Sequence, residues 1–201
     1  MHGWFALRIL TNMFAAFPLN IVVLPQESVA LHLFEPRYKQ LFIDYRNGKE
    51  FAIIYSDKSG LSSHGSLVRI DKIVNEFPDG TVDIIVKGTS LIKIKKFHKL
   101  YPKKTYSAVD AEVLKVVTKV SAKLKALFLT YLLKVGKKTN PKVEFDLYQL
   151  ANRLEMDQKR KNELIQHEDE IEIHRFLSNE IRFLAKIKEQ EELLNRNFHL
   201  N

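Results

Sequence analysis

The chain has 201 residues, 45% of them hydrophobic and 28% charged, with a net charge of +8 at neutral pH and no cysteine. That balance suits an ordinary globular chain with one sizeable core or two small ones, and the missing thiols exclude a disulfide framework, a cysteine nucleophile and a cysteine-based zinc site. A membrane span needs about 18 consecutive apolar residues, whereas the longest apolar stretch, Ala122 to Val135, is broken by Lys123, Lys125 and Lys134 at helical spacing; no membrane association is expected, and the cytoplasm is the expected location.

Residues 1–12 (MHGWFALRILTN) precede a second methionine, Met13. They lack the positive start, long apolar stretch and small-residue cleavage site of a secretory signal, so they read as a disordered leader or a start assigned too early. From Met13 to Val117 the apolar residues alternate or form short runs: Phe17 to Leu24, Val29 to Leu33, Phe51 to Tyr55, Leu67 to Val74, Val82 to Val86, Leu91 to Phe97 and Tyr106 to Val117. Seven short strands are implied. Pro78-Asp79-Gly80-Thr81 predicts a hairpin, because proline presets one turn dihedral and glycine is free to take a positive φ. A second hairpin is expected at Gly88-Thr89. Strands this short and close in sequence bury a face only by closing into a small barrel or stacking as a sandwich.

One helix interrupts them. Pro36 suits the first helical position, Glu35 sets negative charge at the positive end of the dipole, and Tyr38, Leu41, Phe42 and Tyr45 repeat on one face up to Asn47-Gly48.

Seven lysines, Lys87, Lys93, Lys95, Lys96, Lys99, Lys103 and Lys104, fall in a stretch without an acid. Such a stripe could meet phosphates. Ile92 and Ile94 alternate with Lys93 and Lys95, however, which is how a half-buried strand solvates its outer face.

After residue 117 the period becomes helical. Val120, Leu124, Leu127, Tyr131 and Val135 form one stripe, ended by Gly136 and Thr139-Asn140-Pro141. Leu147, Leu150 and Leu154 form a second; a short segment spans Asn162 to His167; Ile173, Leu177, Ile181, Leu184 and Ile187 mark a long last helix. The expected organisation is therefore a leader (1–12), a barrel domain (13–117) and a helical subdomain (118–201).

Phe17-Pro18-Leu19 through Leu24-Pro25, followed by Leu31-His32-Leu33-Phe34-Glu35-Pro36-Arg37-Tyr38, resembles the opening signature of the Lon protease N-terminal, substrate-binding domain family. Gly65 to Ile70, Phe77-Pro78-Asp79-Gly80-Thr81 and Val86-Lys87-Gly88 match further family motifs in order, and Leu150-Ala151-Asn152-Arg153-Leu154 and Arg175-Phe176-Leu177 are similar to the helical tail of the stand-alone bacterial members. The resemblance implies an α+β fold: a PUA-like small antiparallel β-barrel with one inserted helix, followed by a C-terminal helical subdomain. It departs at Gln26, where many members have glycine, and it leaves Ser56 to His64 unassigned.

Glu35 and Arg37 read as local helix-start residues, His32 as a hydrogen-bonded structural histidine, and Ser62, Ser63, His64 and Ser66 as a flexible polar loop with no nucleophile elbow around them. His167 and His174 lack the His-Glu-x-x-His spacing of a metalloprotease. No cofactor or metal is expected. A phosphate-cradling G-x-x-x-x-G-K-[ST] loop is absent from the sequence, as is room for the Lon ATPase and protease modules, so the chain is expected not to be an enzyme.

What the resemblance implies is a non-catalytic polypeptide-binding module whose partners are unfolded or flexible polypeptides, acting alone or as an adaptor for a separate protease or chaperone. The candidate substrate-binding residues are Phe17, Leu31, Phe34 and Tyr38, which crowd apolar groups around the first strands and the helix start; strand alternation keeps Leu31 off the face of His32, so part of this apolar surface is expected outside the core. The alternative is an RNA-binding module, since PUA-like barrels occur in RNA-recognising proteins, using Lys93, Lys95, Lys96 and Lys99.

Overall fold

A computed structural model describes residues 12–115, 119–138 and 144–198. Of residues 1–12, read as a leader, Asn12 belongs to the first strand and the others lie outside the described residues, as does the separator Thr139-Asn140-Pro141. The chain divides into two compact units, residues 1–116 and 117–201.

The first unit holds β1 (Asn12–Leu19), β2 (Ser28–Leu33), α1 (Pro36–Tyr45), β3 (Glu50–Asp57), β4 (Gly60–Glu76), β5 (Val82–His98) and β6 (Ser107–Val113). The sheet order is β2-β5-β4-β3-β1-β6, and β5 also pairs with β6, so five strands close a ring to which β2 is added at one side. Most pairings are antiparallel. The exception is β1 with β3, which run parallel from Ala16↔Ala52 to Leu19↔Tyr55. A parallel pair needs a long crossover, and the chain supplies one by placing β2 and α1 between the two strands.

Two apolar cores lie on opposite faces of β1 and β3. Ala15, Phe17, Phe51 and Ile53 join Leu33, Ile84, Val86 and the α1 residues Tyr38, Leu41 and Phe42 in the larger one. Ala16, Ala52 and Ile54 join Leu67, Ile92, Val109 and Ala111, a cluster drawn from all five ring strands. Alternation of side chains across a strand is what sends neighbours such as Ala15 and Ala16 to different cores.

Among the described residues there are six strands where the sequence predicts seven, because Gly88-Thr89 is not a hairpin. β5 runs through it without turning back. Against β4 the register passes from Val68↔Gly88 to Leu67↔Ser90, leaving Thr89 as an extra residue in a bulge. The bulge shifts the parity: Ile84 and Val86 face one core, Ile92 and Ile94 the other. The bend lets β5 pair with β2 through its first half and with β6 through its second. Gly88 is a site of close backbone approach rather than a turn. The Pro78-Asp79-Gly80 hairpin is as expected, with Gly80 at φ +79° and Phe77 N–H donating to the Thr81 carbonyl at 2.9 Å. Ser62 to Ser66 lie within β4 rather than in a flexible loop; their small polar side chains hide the alternation that would have marked the strand. The first strand starts earlier than its apolar run predicts, and residues 20–27 cross to β2 without strand or helix.

The second unit contains α2 (Ala122–Lys134), α3 (Leu147–Ala151), α4 (Gln158–Ile165) and α5 (Glu170–Phe198). Ser121 caps α2 through the Leu124 N–H, and Asp146 and Gln149 form a reciprocal capping box on α3. Leu124, Phe128, Tyr131, Leu150, Leu164, Ile173, Leu177 and Ile181 are buried. Inside, Glu180 is 2% exposed and accepts two hydrogen bonds from Arg160, at 2.9 and 2.6 Å, while the guanidinium lies 4.5 Å over the Phe176 ring. A buried carboxylate is tolerated only when paired in this way.

Candidate functional site

The end of β2 and the tip of the β4–β5 hairpin bring together an exposed group of aromatic and polar side chains. Leu33 is buried in the core, so its neighbours His32 and Phe34 both point outward, two residues apart on one face. Pro36 then starts α1, which fixes Phe34 at the corner between strand and helix. The Phe34 ring stacks near His32, with centroids 6.0 Å apart and 22° between planes, and Phe77 meets His32 edge-on at 6.4 Å. Phe34 is 62% exposed and Phe77 41%. Exposed aromatic side chains gathered this way are unusual on a soluble surface and mark interaction sites.

The polar groups hold this platform in place. His32 Nδ1 donates to Asp83 Oδ1 at 2.6 Å and Asn75 Nδ2 to Asp83 Oδ2 at 3.2 Å, a row that runs across β2, β5 and β4. The bond from His32, then that from Asn75, holds the Asp83 carboxyl below its usual range. On the helix side, Arg37 pairs with Glu35 at 2.8 Å and lies 4.5 Å over the Tyr38 ring. Lys39 Nζ donates to the Asp79 carbonyl at 2.8 Å, which ties α1 to the hairpin turn. Glu35 pairs locally, as expected, although its side chain makes no cap bond.

The four substrate-binding candidates occupy different environments. Phe17 and Tyr38 are 4% and 5% exposed, with ring centroids 3.7 Å apart in the larger core. Leu31 is partly buried against the same core, and of the four only Phe34 is largely exposed. Sequence reasoning missed Phe77 and Asp83: both lie far from His32 along the chain, and only the β2–β5 register brings them to it.

Of the stripe residues, Lys93 and Lys96 lie opposite Glu112 and Asp110 of β6, while Lys95 bonds Glu112 at 3.1 Å and Lys104 bonds Asp44 at 2.7 Å. Lys99 follows the end of β5 and is exposed. Asp110 also accepts from His98 Nε2 at 2.8 Å. The acids missing from that stretch of sequence are supplied by the neighbouring strand, through Glu112 and Asp110, and by α1, through Asp44. His32 is exposed and hydrogen-bonded to Asp83, the hydrogen-bonded histidine the sequence predicts. His174 is engaged at both ring nitrogens, Nδ1 donating to the Glu170 carbonyl at 2.7 Å and Nε2 accepting from the Ser121 N–H at 3.2 Å. Among the described residues no group of three histidine or acidic side chains could hold a metal ion, and no helix is long and apolar enough to cross a membrane.

This fold is shared with Lon N-terminal domains of known structure. The chain is similar to the crystal structure of a Lon N-terminal domain protein from Xanthomonas campestris, with a TM-score of 0.63 at 20% identity over 84% of this chain and 96% of that one. It is similar also to the N-terminal domain of Mycobacterium avium complex Lon protease, with a TM-score of 0.65 at 16% identity over 85% and 98%. Comparison with curated proteins gives no match. The model of the ATP-dependent protease La (LON) substrate-binding domain matches residues 14–193, and the chain belongs to that family.

Proposed function

We propose that this chain captures unfolded or flexible polypeptides at the platform of His32, Phe34 and Phe77, as a binding module and not a catalyst. The observation that carries the reading is the 62% exposure of Phe34 beside two further ring systems, on a strand end whose polar side chain, His32, is already bonded to Asp83. Unfolded chains offer apolar segments that folded proteins hide, and an aromatic surface selects for them without reading sequence. Phe17, Leu31 and Tyr38 act beneath the platform by fixing the strand and helix that present Phe34. Membership of a protease substrate-binding family supports the same reading, and the proposal extends to an adaptor role in the cytoplasm for a protease or chaperone on another chain. The nucleic-acid reading is the less supported of the two, since Lys95 and Lys104 have acidic partners within the unit.

The test is retention on a column carrying the immobilised chain. A reduced and alkylated, permanently unfolded polypeptide should be held while its folded form passes through. Equal retention of both, or of neither, contradicts the proposal.

A further inference from the structure

Among the described residues β2 is the one strand of the sheet with a single neighbour: every other described strand is paired on two sides, and β2 is paired with β5 alone. The alternation of ladder bonds identifies which of its backbone groups face outward. Just before the strand, Gly88 N–H donates to the Glu27 carbonyl and Gln26 N–H to the Gly88 carbonyl, each at 2.9 Å. The register then runs without a slip from Ser28↔Lys87 to Leu33↔Val82. In an antiparallel pair only every second residue exchanges bonds with its partner. Val29, Leu31 and Leu33 are therefore bonded to β5, and Ser28, Ala30 and His32 direct their N–H and C=O groups away from the sheet. All three are exposed.

Natural edge strands are blunted by charged residues, proline or bulges. β2, Ser-Val-Ala-Leu-His-Leu, has no lysine, arginine, acid or proline, and its pairing has no bulge, whereas the β4–β5 register slips three times. An open, regular and uncharged edge is the arrangement a protein avoids unless something adds to it.

The geometry points to strand addition: an extended polypeptide segment of about six residues pairs with the free edge of β2 and carries apolar side chains at alternate positions. Those side chains continue the surface of Val29 and Leu31, which pack against the core. On the other face the small side chains of Ser28 and Ala30 leave room, and Phe34 closes the row. Backbone pairing is blind to sequence, which matches an occupant defined by being unfolded. This inference rests on the proposed polypeptide capture and specifies its mode.

The probe is a labelled octapeptide of alternating valine and threonine with lysine at both ends, compared with two versions N-methylated at alternate residues in opposite frames. Strand addition places the amides of one frame on β2 and those of the other in solvent. One frame should lose affinity tenfold or more, the other less than twofold, and Ala30→Pro, which removes an outward N–H, should weaken the parent peptide to a similar degree. Equal behaviour of the two frames overturns strand addition. If the unfolded polypeptide is still retained on the column, that result leaves polypeptide capture standing; loss of retention as well removes both. A chain that forms dimers at the working concentration, and loses them on Ala30→Pro, assigns the edge to a second copy and overturns the substrate as its occupant.

Discussion

The carbonyl oxygen of Leu24 lies 2.1 Å from the point where a β-carbon on Gly88 would stand. Both hydrogen bonds that fasten residues 26 and 27 to Gly88 depend on this approach. A methyl group there has backbone, not a flexible side chain, in its way. Gly88→Ala should therefore destabilise the protein by about 2–4 kcal/mol, as overpacking against fixed atoms does. Urea unfolding should show a lower midpoint at unchanged slope. A midpoint within error of the parent would mean the loop sits further from β5.

Gln26 has φ +66°, in the left-handed region that costs an L-residue about 1–2 kcal/mol. Gln26→Gly relieves that strain and gives back part of it as unfolded-chain entropy, so a net gain of about 0.5–1 kcal/mol is expected. A thermal melt measures it, and a lower Tm would contradict the geometry.

How far the sequence revealed the fold is clearest at these two positions. The departure of Gln26 from the family's glycine was visible, and the loop conformation is indeed one that glycine takes more easily. Gly88 was visible as punctuation, but a glycine that allows a turn and one that allows a close approach look alike until the opposing carbonyl is known. The helices were legible from their stripes, since Leu124, Tyr131, Ile173, Leu177 and Ile181 are all buried. The parallel β1–β3 pair was not, because periodicity carries no strand direction. At the site, Phe34 could be named from the sequence, whereas Phe77 and Asp83 needed the register.

Phe17 and Phe34 provide a contrast between core and platform. Phe17→Ala should cost about 3–5 kcal/mol, because it empties a position beneath Tyr38. Phe34→Ser should change stability by about 0.5 kcal/mol or less, since that ring is mostly in water. Capture of unfolded polypeptide should fall at least fivefold in Phe34→Ser. Full capture by this variant would separate the site from Phe34.

Titration should weaken the first unit at both ends of the pH range. Burial alone would raise the Asp44 carboxyl, but hydrogen bonds from Lys104 and Tyr106 outweigh it and hold the group below its ordinary value. A depressed carboxyl contributes stability above its unfolded value, and that stability is lost as pH falls through the folded one. Burial, and then the bond to Asp44, raises the Tyr106 hydroxyl far above its ordinary 10.0; burial also raises Tyr38 and Tyr45. These groups stay protonated in the fold, so stability falls as pH rises above about 10. The tyrosinate absorbance that Tyr106→Phe removes should appear only together with loss of structure, and Tyr106→Phe should flatten the Asp44 contribution on the acid side. Appearance of that Tyr106 signal in a chain that remains folded would contradict this.

Photo-crosslinking of an unfolded polypeptide to the intact chain tests the central claim most directly. With crosslinking groups spread along the polypeptide, attachment should concentrate at residues 28–34 and around Phe77, and should decline in Phe34→Ser. Attachment confined to α5 between Arg182 and Glu192, with residues 28–34 unlabelled, would show that the platform is not where polypeptides bind.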